Sequence, residues 1–154
     1  MPSDFATRQK NDIIRDVSSL GSLILYLLFC LFLLALRNYY LLKRMLAGLF
    51  VVYFVVILIR TFYFKERPLK ISHKNYLESL DASSFPSLHA VRVTFFFATI
   101  IRYFSNIYFS IFALLAVLAV SYTRIQLKKH DWKDVSAGVL TGIAVYYFIR
   151  IIFG

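Results

Sequence analysis

Several features that would mark a disulfide-stabilised or metal-dependent protein are scarce in this sequence. Cys30 is the only cysteine, so no disulfide can form within the chain. Asp and Glu number 8 against 18 Lys and Arg, and they do not cluster as the oxygen ligands that Mg²⁺ prefers. We therefore expect no metal and no other cofactor. Internal repeats and low-complexity linkers are also absent, which predicts a single domain over residues 1–154.

The positive charge is not arranged as it is in nucleic-acid-binding proteins. The formal net charge is +10, but the sequence has no basic face, zinc-finger spacing or aromatic RNA-binding signature. The charges instead cluster between apolar runs rich in Phe and Tyr, as is typical of membrane proteins. The expected partners are therefore a lipid bilayer and a phosphorylated lipid, and not a nucleic acid.

Five apolar runs predict the architecture. They cover residues 20–36, 41–64, 91–104, 107–122 and 135–153. A transmembrane helix needs about 20 apolar residues, so the second and fifth runs suffice alone and the others must borrow flanking residues. We predict an all-α, polytopic membrane bundle of about five transmembrane helices.

Residues 1–19 differ from these runs because charges alternate with apolar side chains. The apolar residues that recur near helical spacing are Phe5, Ile13, Ile14, Val17 and Leu20. This pattern predicts an amphipathic helix at the membrane interface, with a frayed tail as the alternative. Because the charges push the first apolar run away from the N-terminus, we do not expect a cleavable signal.

The connections between the runs differ in length. Residues 37–40 and 105–106 are short enough to be turns, whereas 68–85 and 126–132 are longer and highly charged. Counting crossings places both longer connections and the N-terminus on one membrane face. Long structureless connections tend to be lids or binding loops, so residues 69–85 are expected to select the ligand headgroup.

Gly138 and Gly142 form a G-x-x-x-G pattern in the last run. Small residues let helices approach closely in lipid, so this face is predicted to pack within the bundle, with a homodimer interface as the alternative. Trp132, at the start of the run, is predicted to be an interfacial anchor.

Three groups of residues near the ends of these runs are suited to bind an anion. In the first group, Arg60 and Arg67 are seven residues apart, which puts both on one helix face if the second span continues to Glu66. Pro68 would then end the helix. An Arg at membrane depth, such as Arg60, usually faces a polar cavity or a partner, and snorkelling to the interface is the alternative.

The second group is Pro86-Ser87-Leu88-His89, which opens the third run. Proline suits the first turn of a helix, where the following N–H groups lack partners and attract an anion. The Ser87 hydroxyl adds a donor, and His89 is placed to act as an acid. Helix capping or contact with headgroups is the alternative for His89.

The third group is Arg124, His130 and Asp134. Helical spacing of four puts Asp134 on the same face as His130, where a carboxylate bonded to one ring nitrogen leaves the other free to attack. A plain ion pair at a helix start is the alternative. The three groups together can hold a phosphoryl group, attack it and protonate the group that leaves.

These residues resemble the three motifs of the type 2 phosphatidic acid phosphatase superfamily, K-x₆-R-P, P-S-G-H and S-R-x₅-H-x₃-D. The resemblance runs from Arg60 to the last span. Arg60 stands where the family has lysine, Leu88 where it has glycine, and Thr123 where it has serine. The six spans usual in the family are reduced to about five.

The resemblance implies a metal-independent membrane phosphatase and a role for each matching residue. His130 would attack phosphorus and form a phosphohistidine, Asp134 would orient it, and His89 would protonate the leaving oxygen. The residues implied in phosphate binding are Arg60, Arg67, Ser87, Leu88 and Arg124.

The favoured hypothesis is an integral membrane phosphatase that acts on a lipid phosphate or diphosphate. Polyprenyl diphosphate is the first choice because the compact chain resembles small microbial members, and phosphatidic acid or phosphatidylglycerophosphate is the alternative. The same resemblance favours a multi-pass protein of the prokaryotic plasma membrane, with its site on one face near the interface. The second hypothesis is a non-catalytic protein that binds anionic lipid. Such a protein would not need Asp134 next to His130. A small channel or transporter with Arg60 lining its pathway is the third.

Overall fold

The computed structural model describes residues 2–69 and 75–154, and within these ranges the chain is helical without strands. The helices are α1 (Pro2–Ser19), α2 (Leu23–Ala35), α3 (Tyr39–Phe62), α4 (Tyr76–Ala82), α5 (Leu88–Phe104), α6 (Ile107–Gln126) and α7 (Trp132–Phe153). The prediction of an all-α bundle is confirmed.

The five predicted apolar runs correspond to α2, α3, α5, α6 and α7. Helices α3, α6 and α7 have 24, 20 and 22 residues and are long and apolar enough to cross a membrane. Helix α2 has 13 residues and α5 has 17, whereas a helix that crosses the hydrocarbon core needs about 20 residues. Residues Thr7–Ser19 of α1 and Leu23–Ala35 pass the same test only together and are bent by 44° at the break between them, as in a broken span or a re-entrant loop. The described residues therefore contain three helices that meet the requirements of a span, or four spans if the bent pair is counted as one, against the prediction of about five.

The N-terminal segment is helical, so the alternative of a frayed tail is wrong. Helix α1 contacts α6, and its Ser18 hydroxyl accepts a buried hydrogen bond from Arg124 on that helix. The N-terminal segment is thus part of the bundle. Its placement at a membrane interface stays a prediction.

Helix α5 lies at the centre of the bundle, in contact with α3, α6 and α7. One apolar core joins α2, α3, α5 and α7 around Met45, Val52 and Phe95. A second core joins α5 and α6 around Val93 and Val120. Many large apolar side chains on the outer faces are exposed, as expected of a surface that lipid covers.

The G-x-x-x-G face of α7 packs against α5. A Cβ atom on Gly138 would lie 2.8 Å from the Ser87 carbonyl oxygen, and one on Gly142 would lie 2.7 Å from that of Val91. The prediction that this face packs within the bundle is therefore confirmed. The close approach brings the N-terminal ends of α5 and α7 together, which is where the second and third groups of candidate residues lie.

The connection between α3 and α5 is partly helical. Asn75 caps the short helix α4 by accepting a hydrogen bond from the Glu78 amide at 2.9 Å, so the prediction of a structureless loop is wrong for residues 76–82. Three charged residues of this connection, Lys70, His73 and Lys74, lie outside the described residues. The Leu69 amide donates to the Lys128 carbonyl at 3.0 Å. This bond confirms that the two long connections lie at the same end of the bundle.

Candidate active site

Arg60 is buried near the C-terminal end of α3, where its guanidinium joins two other parts of the chain. Its Nη1 donates to the Leu80 carbonyl at 2.8 Å and its Nη2 to the Pro86 carbonyl at 3.1 Å. Only 7 % of Arg60 is exposed, so snorkelling is excluded. Arg60 therefore connects the end of α3 to α4 and to the start of the second group.

Helix α3 ends at Phe62, so Arg60 and Arg67 do not share a helix face and that prediction is wrong. The reason is tertiary: the Lys65 carbonyl accepts from the Ser84 amide at 2.8 Å instead of continuing the helix. Arg67 lies in the non-helical segment that follows, and its Nη2 donates to the Asp81 carbonyl. Arg67 is still among the charges that act electrostatically on Arg60.

Helix α5 begins two residues later than predicted. Pro86 lies outside the helix, Ser87 is the N-cap, and Leu88 is the first helical residue. The Ser87 amide is not free, because it donates to the Asp134 carbonyl at 3.0 Å. The amides of Leu88 and His89 belong to the first turn and have no carbonyl acceptor within the helix. The second group thus offers two main-chain donors rather than three.

Leu88 and His89 have different surroundings. The Leu88 side chain packs against the core shared by α2, α3, α5 and α7, so the residue that replaces the family glycine contributes an apolar contact. His89 lies beside the junction of α1 and α2, where a Cβ atom on Gly21 would be 3.3 Å from its Cδ2. Residues that act on His89 electrostatically include Arg92, Arg124 and His130.

His130 is buried in the connection before α7. This helix starts at Trp132 with Asp131 as its N-cap, so the helical spacing argument for His130 and Asp134 does not apply. The His130 Nδ1 lies 2.7 Å from the Ser84 carbonyl oxygen and 3.8 Å from Asp134 Oδ2. The second distance is too long for a hydrogen bond, so the predicted bond from the ring to Asp134 is wrong. Because a carbonyl only accepts, Nδ1 carries the hydrogen in the neutral ring and Nε2 keeps its lone pair.

The Asp134 carboxylate is held by a lysine and by a helix cap. Lys65 Nζ lies 2.7 Å from Asp134 Oδ1 and 2.6 Å from Asp131 Oδ2. Asp131 and Asp134 also bond each other's amides in a capping box. Burial lowers the pKa of Lys65, but its hydrogen bonds to Asp131 and Asp134 outweigh this effect, so the pKa is raised. Lys65 belongs to none of the three groups of candidate residues, and only its three-dimensional position reveals this contact.

The surroundings of His130 favour its neutral form. Burial lowers the pKa of the ring most, because the charged imidazolium loses its hydration. Asp134 opposes this effect, Arg124 and Arg67 add to it, and the pKa lies below its usual value. A neutral imidazole with Nε2 unprotonated is the form in which histidine can act as a nucleophile.

Arg124 links the third group to the N-terminal helix. Its Nη1 donates to the Ser18 hydroxyl of α1 at 2.9 Å, and its carbonyl accepts from the amides of Lys129 and His130 at 3.2 and 3.3 Å. Sequence reasoning assigned residues 1–19 only to the membrane interface. The structure shows that this segment holds one of the three candidate arginines in place.

Four buried donors of the site lack a hydrogen-bond partner among the residues that the structure describes. They are Nε of Arg60, Nε of Arg67, Nε of Arg124 and Oγ of Ser87. A buried polar atom without a partner costs about 1–3 kcal/mol, so an anion with several oxygen atoms would stabilise this arrangement. Within residues 2–69 and 75–154, no group of three or more His, Cys, Asp or Glu side chains is placed to hold a metal ion.

Arg92 is a buried cation that sequence reasoning missed. It lies one turn after His89, its Nη1 donates to the Tyr53 hydroxyl at 2.9 Å, and its Nε donates to the Gly21 carbonyl at 2.9 Å. Like Arg60, Arg92 lies inside one of the predicted apolar runs, the run of residues 91–104. The rule that an Arg at membrane depth needs polar partners would have found Arg92 as well.

The family model of the PAP2 superfamily matches residues 41–154, which include all three groups. The chain belongs to the PAP2 superfamily. Members of the PAP2 superfamily are phosphatases, and the family indicates lipid-type phosphates as substrates. Neither the comparison with curated proteins nor that with solved structures gives a match. Helices α1 and α2 precede the matched segment, so Ser18 and Gly21 are contributions that the PAP2 family model does not cover.

Proposed function

We propose that this PAP2-superfamily chain is an integral membrane phosphatase that hydrolyses a lipid phosphate or diphosphate through a phosphohistidine at His130. The observation that carries the proposal is the buried His130 ring, whose Nδ1 is occupied by the Ser84 carbonyl. Around it, three guanidinium groups each keep one buried N–H without a partner in the described part of the chain. The site thus combines a neutral nucleophile with unused donors for an oxyanion.

The cations of the site hold the phosphoryl group. Arg60, Arg67 and Arg124 donate to the non-bridging oxygens, helped by the Ser87 hydroxyl and the Leu88 amide. Negative charge on these oxygens must be stabilised as the phosphoryl group is transferred, and fixed donors in a dry site stabilise it more than water does. The bonds of Arg60 to two carbonyls and of Arg124 to α1 fix these guanidinium groups before the substrate arrives.

In the first step, Nε2 of His130 attacks phosphorus. An N–P bond forms and the P–O bond to the leaving group breaks. The negative charge of the bound phosphate lets His89 carry a proton despite the nearby Arg92 and Arg124, and His89 gives that proton to the leaving oxygen. The ring of His130 becomes positively charged in this step. The Ser84 carbonyl and the Asp134 carboxylate, at 2.7 and 3.8 Å from Nδ1, stabilise that charge.

In the second step, water hydrolyses the phosphohistidine. His89 is now neutral, so it accepts a proton from the water as the water oxygen attacks phosphorus. The N–P bond breaks, inorganic phosphate leaves, and both histidines return to their starting forms. No metal ion takes part in either step.

The substrate is a lipid whose tail stays in the bilayer while its phosphate enters the site. The large exposed apolar side chains of α3, α6 and α7 support this arrangement, because they keep the protein in the same phase as the tail. Polyprenyl diphosphate is the first choice, with phosphatidic acid and phosphatidylglycerophosphate as alternatives. The proposed location is a prokaryotic plasma membrane.

The test is phosphate release by the full chain, purified in detergent with a metal chelator present. The three lipids are offered side by side to the wild type, to His130→Ala, and to Lys128→Ala as a matched control on the same connection. Lys128 is exposed, so its side chain can be removed without disturbing the buried site. We expect release that survives the chelator, persists in Lys128→Ala and is lost in His130→Ala.

Other outcomes would contradict the proposal in distinct ways. Release that the chelator abolishes would contradict the metal-independent mechanism. Equal phosphate release from His130→Ala would contradict a phosphohistidine intermediate at His130. No release from any lipid, with lipid binding retained in His130→Ala, would favour a non-catalytic protein that binds anionic lipid.

A further inference from the structure

A second cavity lies at the end of the bundle opposite the candidate active site. It has a volume of about 360 Å³ and lies between the start of α3, the end of α5 and the end of α7. Arg44, Arg102, Tyr40, Tyr103 and Thr99 are among the residues that line it. With a rise of 1.5 Å per residue, Arg44 is about 24 Å from Arg60 along α3. One ligand headgroup cannot occupy both sites, so this cavity, here called the Arg44 cavity, is a separate feature.

Arg44 is the buried member of the Arg44 cavity. Only 6 % of it is exposed, and its Nη1 donates to the Tyr40 hydroxyl at 2.8 Å. Its Nε and Nη2 are buried and have no partner in the described part of the chain. The guanidinium also lies over the Tyr40 ring, 5.4 Å from its centroid, but two N–H-bearing nitrogens without a partner are costly at this depth, because buried donors need acceptors to replace the water they have lost. A ligand with oxygen atoms placed in the cavity would supply that partner.

The charges at this end of the bundle favour an anion as that ligand. Residues 36–48, 99–110 and 148–154 contain no Asp or Glu, so these segments offer no acidic side chain to Arg44. Arg102 adds a second guanidinium to the lining. The Gly154 carbonyl accepts from the Tyr40 hydroxyl at 2.9 Å. A carboxylate at Gly154 would carry one negative charge, which offsets only one of the two positive charges of Arg44 and Arg102. The cavity therefore keeps a net positive charge.

The position of the cavity indicates where the anion comes from. Arg102 and Tyr103 are exposed at the C-terminal end of α5, and the Tyr103 hydroxyl accepts from Asn38 at the start of α3. Tyrosines and basic residues at the ends of membrane helices lie at the level of lipid headgroups. A headgroup phosphate at that level can reach the cavity without leaving the bilayer.

We propose that the Arg44 cavity binds the phosphate of an anionic phospholipid from the leaflet opposite the candidate active site. The Nε and Nη2 donors of Arg44, with the guanidinium of Arg102, hold the phosphate oxygens. The Tyr40 hydroxyl keeps the Arg44 side chain in place. This proposal does not depend on the catalytic one, because none of the residues that line the cavity belongs to the candidate active site.

The experiment measures lipid binding to the purified full chain by native mass spectrometry and by thermal unfolding in detergent. The probes are phosphatidylglycerol, phosphatidylcholine and inorganic phosphate, offered separately. The main variant is Arg102→Gln, since Arg102 is exposed and its replacement does not empty a buried site. The matched control is Arg150→Gln, which removes an exposed cation from the same end of the bundle but not from the cavity lining. Arg44→Gln is the second variant.

We expect phosphatidylglycerol to be retained and to raise Tm more than phosphatidylcholine does. Arg102→Gln should weaken its binding about tenfold, the loss expected for one hydrogen bond to a charged group. Arg150→Gln should bind as the wild type does. Equal retention of both lipids, or equal loss in the two Gln variants, would overturn the proposal. Stabilisation by inorganic phosphate without retained lipid would overturn the assignment to a lipid.

Discussion

Replacing Lys65 by Met tests how the Asp134 carboxylate is held. Lys65→Met keeps the length of the side chain but removes the ammonium group that lies 2.6 Å from Asp131 and 2.7 Å from Asp134. Asp134 is fully buried and would keep the Asp131 amide at 3.0 Å as its remaining hydrogen bond. A buried carboxylate would thus lose the one cation that lies within hydrogen-bond distance of it in residues 2–69 and 75–154.

The size of the effect follows from the burial of the two groups. Losing a hydrogen bond to a charged group costs about 1–3 kcal/mol, and the lower half of that range applies because the Lys65 side chain is 26 % exposed. For a chain of this size, we expect Tm to fall by about 2–8 °C. Without Lys65, the Asp134 carboxylate acts more strongly on His130, so the pKa of His130 should rise.

The pKa change gives the assay its second measurement. Attack needs neutral His130, so the acidic limb of the kcat/KM profile of the wild type should lie below pH 6.5, because burial lowers the pKa of the ring. Lys65→Met should move that limb to higher pH and lower Tm. Lys133→Met is the control, since it removes an exposed cation from α7 that contacts Trp132 instead. If the limb and Tm of Lys65→Met match those of the control, the reasoning is refuted.

Three further predictions concern other parts of the site. Ser18→Ala removes the partner of Arg124 Nη1 and should cost about 1.5–3 kcal/mol of stability, raising KM for a phosphate substrate more than it lowers kcat; unchanged KM would contradict this role. Gly142→Ala puts a Cβ atom 2.7 Å from the Val91 carbonyl oxygen and should destabilise the chain by about 1–3 kcal/mol, which a lower Tm would show. An unchanged Tm would mean that α5 and α7 can move apart at no cost. Burial lowers the pKa of folded His130 below the unfolded value of about 6.5, so the unfolded chain binds the proton more readily and stability falls as the pH drops below that value. His130→Gln should make this fall smaller, and an identical pH dependence of Tm would count against it.

Ser19→Ala is the matched control for Ser18→Ala. The Ser19 hydroxyl donates to the Asp16 carbonyl on the exposed side of α1 and contacts no residue of the site. Its loss should leave KM unchanged and Tm nearly so. A rise in KM in this control would show that α1 acts through its overall stability rather than through the bond from Ser18 to Arg124.

Much of the architecture was predictable because membrane helices leave a strong signal. Apolar runs end where charges begin, and small residues mark close helix contacts, so the helices and the packing of Gly138 and Gly142 on α5 followed from the sequence. Helix boundaries were less predictable, because local rules compete with tertiary bonds. Helix α3 would have to continue to Glu66 to put Arg60 and Arg67 on one face, but it stops at Phe62, and the Lys65 carbonyl accepts from the Ser84 amide instead.

The sequence by itself determined the membrane character of the chain and the kinds of residue available to its candidate site. Hydrophobic length and the spacing of Arg and His are local properties, and they can be read without knowing the fold. Only the tertiary structure decided which groups bond to each other. The Ser84 carbonyl, and not Asp134, accepts from His130, Lys65 holds Asp134, and Ser18 holds Arg124. These contacts join residues 46, 69 and 106 positions apart, and no local pattern specifies such pairs because they depend on how the helices pack.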